Sequence, residues 1–365
     1  MQRYRTVESF DSATICGGRN NGLRQYICRA VIVGLAGLFC LLLPIGLRSA
    51  PTKTMAKSTA ICVNPVGTNG CQASIQAAIN AATNGDTINV APGTYAEDLN
   101  VNKSVSILGA NAAGTAGATI LFGVDNNATA THIAISADNV TIDGLTIDDA
   151  NSFGKSAPGA NNQGIFIGNV SGAVIRRNVI TNSFVDAPTG GTAVYLDANT
   201  KGAIIEQNTI SNSGNGILFD ASGSHDNFTI RKNLFTGNGR GSSSSRAAVR
   251  FVSAVSIAAG HKNVISFNSF VGNINGGGIN NASGIATSAK NNWWGCNFGP
   301  GAIGAGCSAI TNAVSANVDA NPRLVLRLVP AVAHLAAFGE INVTASLQFN
   351  SENADTLAIG SLPDH

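Results

Sequence analysis

Four short segments carry the side chains best suited to act on a ligand: GIFI (164–167), AVYL (193–196), GILF (216–219) and AVRF (248–251). Read as strands, they alternate, so Ile165/Ile167, Val194/Leu196, Ile217/Phe219 and Val249/Phe251 point to one side. The other side then carries a row of Phe166, Tyr195, Leu218 and Arg250, and beyond it Gly168, Asp197, Asp220 and Val252. If the four strands stack in parallel, neighbouring rungs stand about 4.8 Å apart. Two carboxylates at that spacing can perturb each other, act as an acid/base pair, or share a cation such as Ca²⁺. Phe166 and Tyr195 would offer stacking surface to a ligand, and Arg250 could serve as a base by position alone. The plainer alternative is that Asp197 and Asp220 close their strands and bond corner amides. No metal is assigned, and no cofactor is required.

Other chemistry-bearing residues read as structural. Asp148-Asp149 precedes ANSFG, an ordinary turn composition. Asp143, Arg176, Glu206 and Arg231 recur at equivalent places with alternating sign, as a charge ladder on a solvated face would. His132, His225, His261, His334 and His365 show no ligand spacing and read as surface or loop histidines. GRGSSSSR (239–246) is a flexible corner, since no strand-to-helix context makes it a phosphate cradle. Of Trp293-Trp294, one is expected to plug the last coil while the other covers its edge.

The elements that would hold these residues repeat along the chain. VTIDGLTI (140–147), AVIRRNVI (173–180), AIIEQNTI (203–210), FTIRKNLF (228–235) and NVISFNSF (263–270) align on an apolar residue followed three places later by Leu or Asn. That column runs Leu145, Asn178, Asn208, Asn233, Asn268, with Asn291 as its next member, at spacings of 33, 30, 25, 35 and 23 residues. A constant core at irregular spacing means equal coils with corner loops of different length. Stacked Asn side chains can then satisfy one another as a ladder at a corner. Before the repeats, SIQAAINAA (74–82) reads as one amphipathic helix, with Ser74 as cap and Gly85 after its end. Such a helix would cover the first coil.

Composition agrees with this plan. Charged residues are 12%, the hydrophobic share is 44%, and there are 42 glycines. The net charge of +2 arises from the first fifty residues, with six Lys/Arg against two Asp/Glu. The rest is near neutral, which argues against a nucleic-acid binder. Residues 30–47 form an uncharged apolar run between Arg29 and Arg48, so 1–50 reads as a signal peptide or signal anchor, the only route to a membrane. Four cysteines follow it in two close pairs, read as Cys62–Cys71 and Cys296–Cys307 disulfides of an exported body.

At the level of motifs, the segment 74–109 resembles the opening shared by pectin esterases and secreted β-helix repeat proteins. NNWWGCNFGPG (291–301) looks like the last coil of bacterial secreted β-helix proteins. The resemblance implies an all-β, right-handed parallel β-helix solenoid of the pectate lyase type over about 60–320, with an N-terminal cap helix. Residues 321–365 alternate in a new register and resemble the first strands of an immunoglobulin-like module, or a C-terminal cap. No DFIFG-like esterase stretch and no lyase motif can be matched residue by residue. The expected function is therefore an exported or cell-surface protein binding a polysaccharide or surface glycan. The alternative is a lyase or glycoside hydrolase using Asp197, Asp220 and Arg250, with Phe166 and Tyr195 contacting substrate.

Overall fold

The computed structural model describes residues 59–113, 117–122, 131–149, 162–184, 191–220, 223–253, 255–256, 263–283, 286–297, 299–301, 307–311, 318–321, 323–328 and 345–348. Within them the chain winds as a right-handed parallel β-helix. Each full coil contributes one short strand to each of three parallel sheets, of ten, seven and eight strands. Strands of two to five residues suffice because the solenoid pairs each backbone edge with the coils before and after it.

Inward residues stack in vertical files. Ile107, Ile142, Ile175, Ile205, Ile230 and Ile265 are successive partners in the ten-stranded sheet, and none is more than 1% exposed. In the seven-stranded sheet the file changes from Ile180 and Ile210 to Phe235 and Phe270. Phe235 stacks on Phe270 at 5.1 Å, and Phe270 on Trp294 at 5.0 Å. In the eight-stranded sheet Phe219 and Phe251 stack at 4.5 Å, and buried Asn281 follows them in the file. Each core residue is thus buried by neighbours some 25 to 35 positions away, which is why regular alternation in the sequence suffices to build the core.

The corner between the ten- and seven-stranded sheets holds the Asn ladder. Asn178, Asn208, Asn233 and Asn268 each donate Nδ2 to the Oδ1 of the next member at 3.0–3.1 Å. Each also donates Nδ2 to a main-chain carbonyl of the preceding coil. The member after Asn268 is Asn292, not Asn291. The reason is local backbone geometry: every ladder residue follows a residue in the left-handed region, namely Arg177, Gln207, Lys232 and Phe267. Asn291, at φ 60°, fills that preceding place. At the first such corner Gly144 is the left-handed residue, and Leu145 donates its backbone N–H to Asn178. A second ladder, Asn238 to Asn273, occupies the corner between the seven- and eight-stranded sheets.

The N-terminal helix spans Ile75–Ala81 and buries Ile75, Ala78 and Ile79 against the first coil. Ser74 Oγ accepts from Ala77 N–H at 3.1 Å. The Glu97 carboxylate accepts from the N–H groups of Ile75 and Gln76, and Lys103 Nζ donates to the carbonyls of Asn80 and Ala82. Opposite charges at the two helix ends complement its dipole.

Both disulfides, Cys62–Cys71 and Cys296–Cys307, are formed. Trp294 is the core plug, fully buried beneath Phe270. It does not close the last coil, because Ile310–Thr311 and Val318–Asp319 extend two sheets beyond it. Val325–Leu328 and Ala345–Gln348 then form an antiparallel pair. No helix among the described residues is long and apolar enough to cross a membrane, and the 30–47 run lies outside them.

Candidate functional site

The outer face of the eight-stranded sheet presents the expected row. Phe166 pairs in register with Tyr195, Tyr195 with Leu218, Leu218 with Arg250, and Arg250 with Asn280. The registers follow from the inward isoleucines and phenylalanines of the same strands, whose burial leaves no freedom to slip. Phe166 and Tyr195 stack with ring centroids 5.5 Å apart and planes 21° from parallel. Together they make a part-buried aromatic platform two coils tall, in which each ring covers one face of the other.

Asp197 and Asp220 occupy equivalent strand-end positions in consecutive coils, donating their N–H groups to Ile167 and Leu196. Their side chains differ. Asp220 accepts the hydroxyl hydrogen bond of Tyr195, which lies on the neighbouring rung. Burial, then this carboxylate, push the Tyr195 phenol well above its ordinary range. The Asp197 carboxylate makes no hydrogen bond among the described residues.

Arg250 is half-buried, and its Nε is enclosed without a hydrogen-bond partner among the described residues. Burial lowers its pKa, the nearby Arg246 guanidinium lowers it further, and Asp220 opposes both. The face therefore runs from an aromatic platform to a cation and two carboxylates.

Two histidines lie elsewhere than expected. His225 is completely buried, edge-on to Phe219 at 5.2 Å, with Nε2 3.4 Å from the Asp220 carbonyl oxygen. Burial lowers its pKa. His132, 1% exposed, is held between two carboxylates: Nδ1 lies 3.2 Å from Asp98 Oδ1 and Nε2 2.6 Å from Asp149 Oδ1. Burial opposes its charge, yet the hydrogen bonds to Asp149 and Asp98 and the attraction of both carboxylates raise its pKa to about 9. Asp149 is correspondingly no ordinary turn residue: it is buried, and its Oδ2 makes no hydrogen bond among the described residues. The signal for this cluster was the register itself, since pairing Leu99 with Ile133 sets Asp98 beneath His132. Both ring nitrogens are engaged, so the imidazole has none left to ligate a metal or take a substrate proton. His261, His334 and His365 lie outside the described residues.

The charge column has the expected register, but one end is not solvated. Asp143 is fully buried and accepts from Arg176 Nε at 2.7 Å and Arg177 Nε at 2.8 Å. Farther along, Arg231 Nε donates to Glu206 at 2.7 Å on the exposed face. The 239–246 corner is pinned rather than loose: Arg246 is buried and donates to the Arg240 carbonyl, and both guanidiniums lie over the Phe184 ring. Among the described residues no group of three or more His, Cys, Asp or Glu is arranged to hold a metal ion.

Residues 97–252 match the family model described as "Right handed beta helix region". No curated protein matches the chain. Solved structures similar to it include a pectin methylesterase from Aspergillus niger, at 15% identity over 67% of this chain and 77% of that one, TM-score 0.32. An alginate lyase from Paenibacillus sp. str. FPU-7 matches at 14% identity over 64% and 86%, TM-score 0.37. The pectate lyase Pel9A matches at 14% identity over 74% and 80%, TM-score 0.35. Likeness at this level carries no argument about activity.

Proposed function

We propose that this right-handed parallel β-helix is an exported glycan-binding protein that uses the outer face of its eight-stranded sheet. The observation that carries the reading is the Phe166–Tyr195 platform, continued on the same face by Arg250 and the aspartates 197 and 220. The aromatic surface left open by the stacking suits the C–H groups of a sugar, and charged groups alongside it select hydroxyl or carboxylate substituents. Arg250, a part-exposed cation on this face, favours an acidic polysaccharide. Export is supported by two disulfides, which persist in oxidising compartments. Residues 1–50 would direct it, as a cleaved signal or as an anchor that alone reaches the membrane.

The second reading, a lyase or glycoside hydrolase, draws on Asp197, whose carboxylate makes no hydrogen bond among the described residues. Against it stands Asp220, already committed to the Tyr195 hydroxyl, whereas an acid/base pair needs both carboxylates directed at one glycosidic bond. Purified protein screened against pectin, alginate and other polyuronates, with and without Ca²⁺, tests both. Saturable binding without product release, weakened in Phe166→Ala, is the expected result. Product release that vanishes in Asp197→Asn would establish the enzyme instead, and no binding to any acidic glycan would remove the proposal.

A further inference from the structure

We infer that the outer face of the seven-stranded sheet is a second binding surface, built for a neutral, extended glycan. It does not depend on the face just described. Two outward files run along this sheet. In one, Thr209, Leu234, Ser269 and Trp293 are successive partners. In the other, Thr181, Ser211, Thr236 and Val271 are. Rungs about 4.8 Å apart and files about 7 Å apart make a flat, regular grid.

One end of this grid is apolar. Leu234 and Val271 are each 39% exposed, among the most exposed large hydrophobic residues in the described structure. Part-buried Trp293 adjoins them: its neighbour Trp294 is buried in the core, so alternation turns Trp293 outward, two rungs beyond Leu234. Leu234, Val271 and Trp293 thus surround Ser269 with an apolar platform about 10 Å long, the scale of one or two sugar rings. Exposed apolar patches rimmed by polar groups mark interaction sites. Here the rim is hydroxyl: Thr236 stands beside Leu234, and beyond it the buried Ser211 Oγ donates to Thr181 Oγ1 at 2.9 Å.

Charge decides which partner fits. Among the described residues of the two files the sole ionisable side chain is Asp148, which accepts from Asn182 Nδ2 at 2.8 Å. A polyuronate would find no cation on these files to match its carboxylates. A neutral glycan can lay its C–H faces on Trp293 and Leu234 and exchange hydrogen bonds with Thr and Ser hydroxyls, leaving no desolvated charge unmatched. The eight-stranded face carries the opposite chemistry. The two surfaces would let one protein bridge an acidic and a neutral polymer.

The test uses the full chain in pull-downs on microcrystalline cellulose and on an insoluble unbranched β-1,3-glucan, with melting curves and sedimentation in parallel. The expected result is retention on at least one of them. Affinity should fall about tenfold in Trp293→Ala and in Leu234→Lys, both melting like the parent, and stay unchanged in Phe166→Ala on the other face. Leu234→Lys alters an outward, part-exposed position and keeps the test informative if Trp293→Ala fails to fold. Failure of the parent protein to bind either glucan overturns the inference. So does binding undiminished in Leu234→Lys, or a concentration-dependent dimer that Leu234→Lys abolishes, which would make the occupant a second copy. Binding to pectin or alginate reports only on the eight-stranded face, so the two readings fail separately.

Discussion

His132 Nε2 lies 2.6 Å from Asp149 Oδ1, while Nδ1 faces Asp98 one coil below, so a single buried imidazole joins the strand ends of neighbouring coils. An imidazolium between two carboxylates is held charged by both, and its removal would leave the buried Asp149 without its counter-charge.

A stability effect with a definite sign follows. The folded pKa of His132 is raised from 6.5 to about 9. Its contribution is therefore complete below about pH 6.5 and is lost as pH rises through 9, on the order of 3 kcal/mol across that window. Unfolding midpoints measured from pH 6 to 10 should fall in the parent protein. His132→Ala should lie well below the parent at pH 6 and show a flatter profile. An equal alkaline slope in both would assign the effect to other groups.

At the Asn corner, residues 291 and 292 should behave oppositely. Asn292 accepts from the N–H and Nδ2 of Asn268, so Asn292→Ala strands buried donors and should cost roughly 2–4 kcal/mol. Asn291 supplies only the left-handed backbone, so Asn291→Gly should be within about 0.5 kcal/mol of the parent. Urea denaturation of the two variants checks this, and equal costs would contradict the ladder assignment.

The cap helix depends on a carboxylate from outside it. Glu97 receives two N–H groups at the helix start, so Glu97→Ala should cost about 1–2 kcal/mol. Hydrogen exchange should quicken first at Ile75–Ala81. Exchange unchanged there would show the helix to be held by its apolar face alone.

On the eight-stranded face, Tyr195→Phe keeps the aromatic platform and frees Asp220. Calorimetric titration with an oligouronate should show retained affinity in Tyr195→Phe. In Phe166→Ala, which halves the platform, affinity should fall about tenfold. A larger loss in Tyr195→Phe than in Phe166→Ala would place the ligand on the hydroxyl rather than on the ring faces.

Much of this fold could be read from alternation alone. The inward files, the stacked row from Phe166 to Arg250, the cap helix and both disulfides all follow from patterns within short windows, because a strand with one buried face fixes which side each residue takes. The same logic reached the Asn column but missed its final member by one residue, since Asn suits both the left-handed corner and the ladder position after it.

What the sequence determined by itself is therefore the coil: strand faces, corner positions and the residues sharing a file, all set by local steric and hydrophobic preference. What only the tertiary structure decided is which polar groups meet across corners. Asp149 reaches His132, Tyr195 reaches Asp220, and Asp143 is shut away beneath two arginines. These pairings depend on side-chain reach between coils whose connecting loops differ in length, and on burial that removes water as the competing partner. No periodicity records that, because two residues with the same place in the repeat can end up solvated in one coil and enclosed in the next.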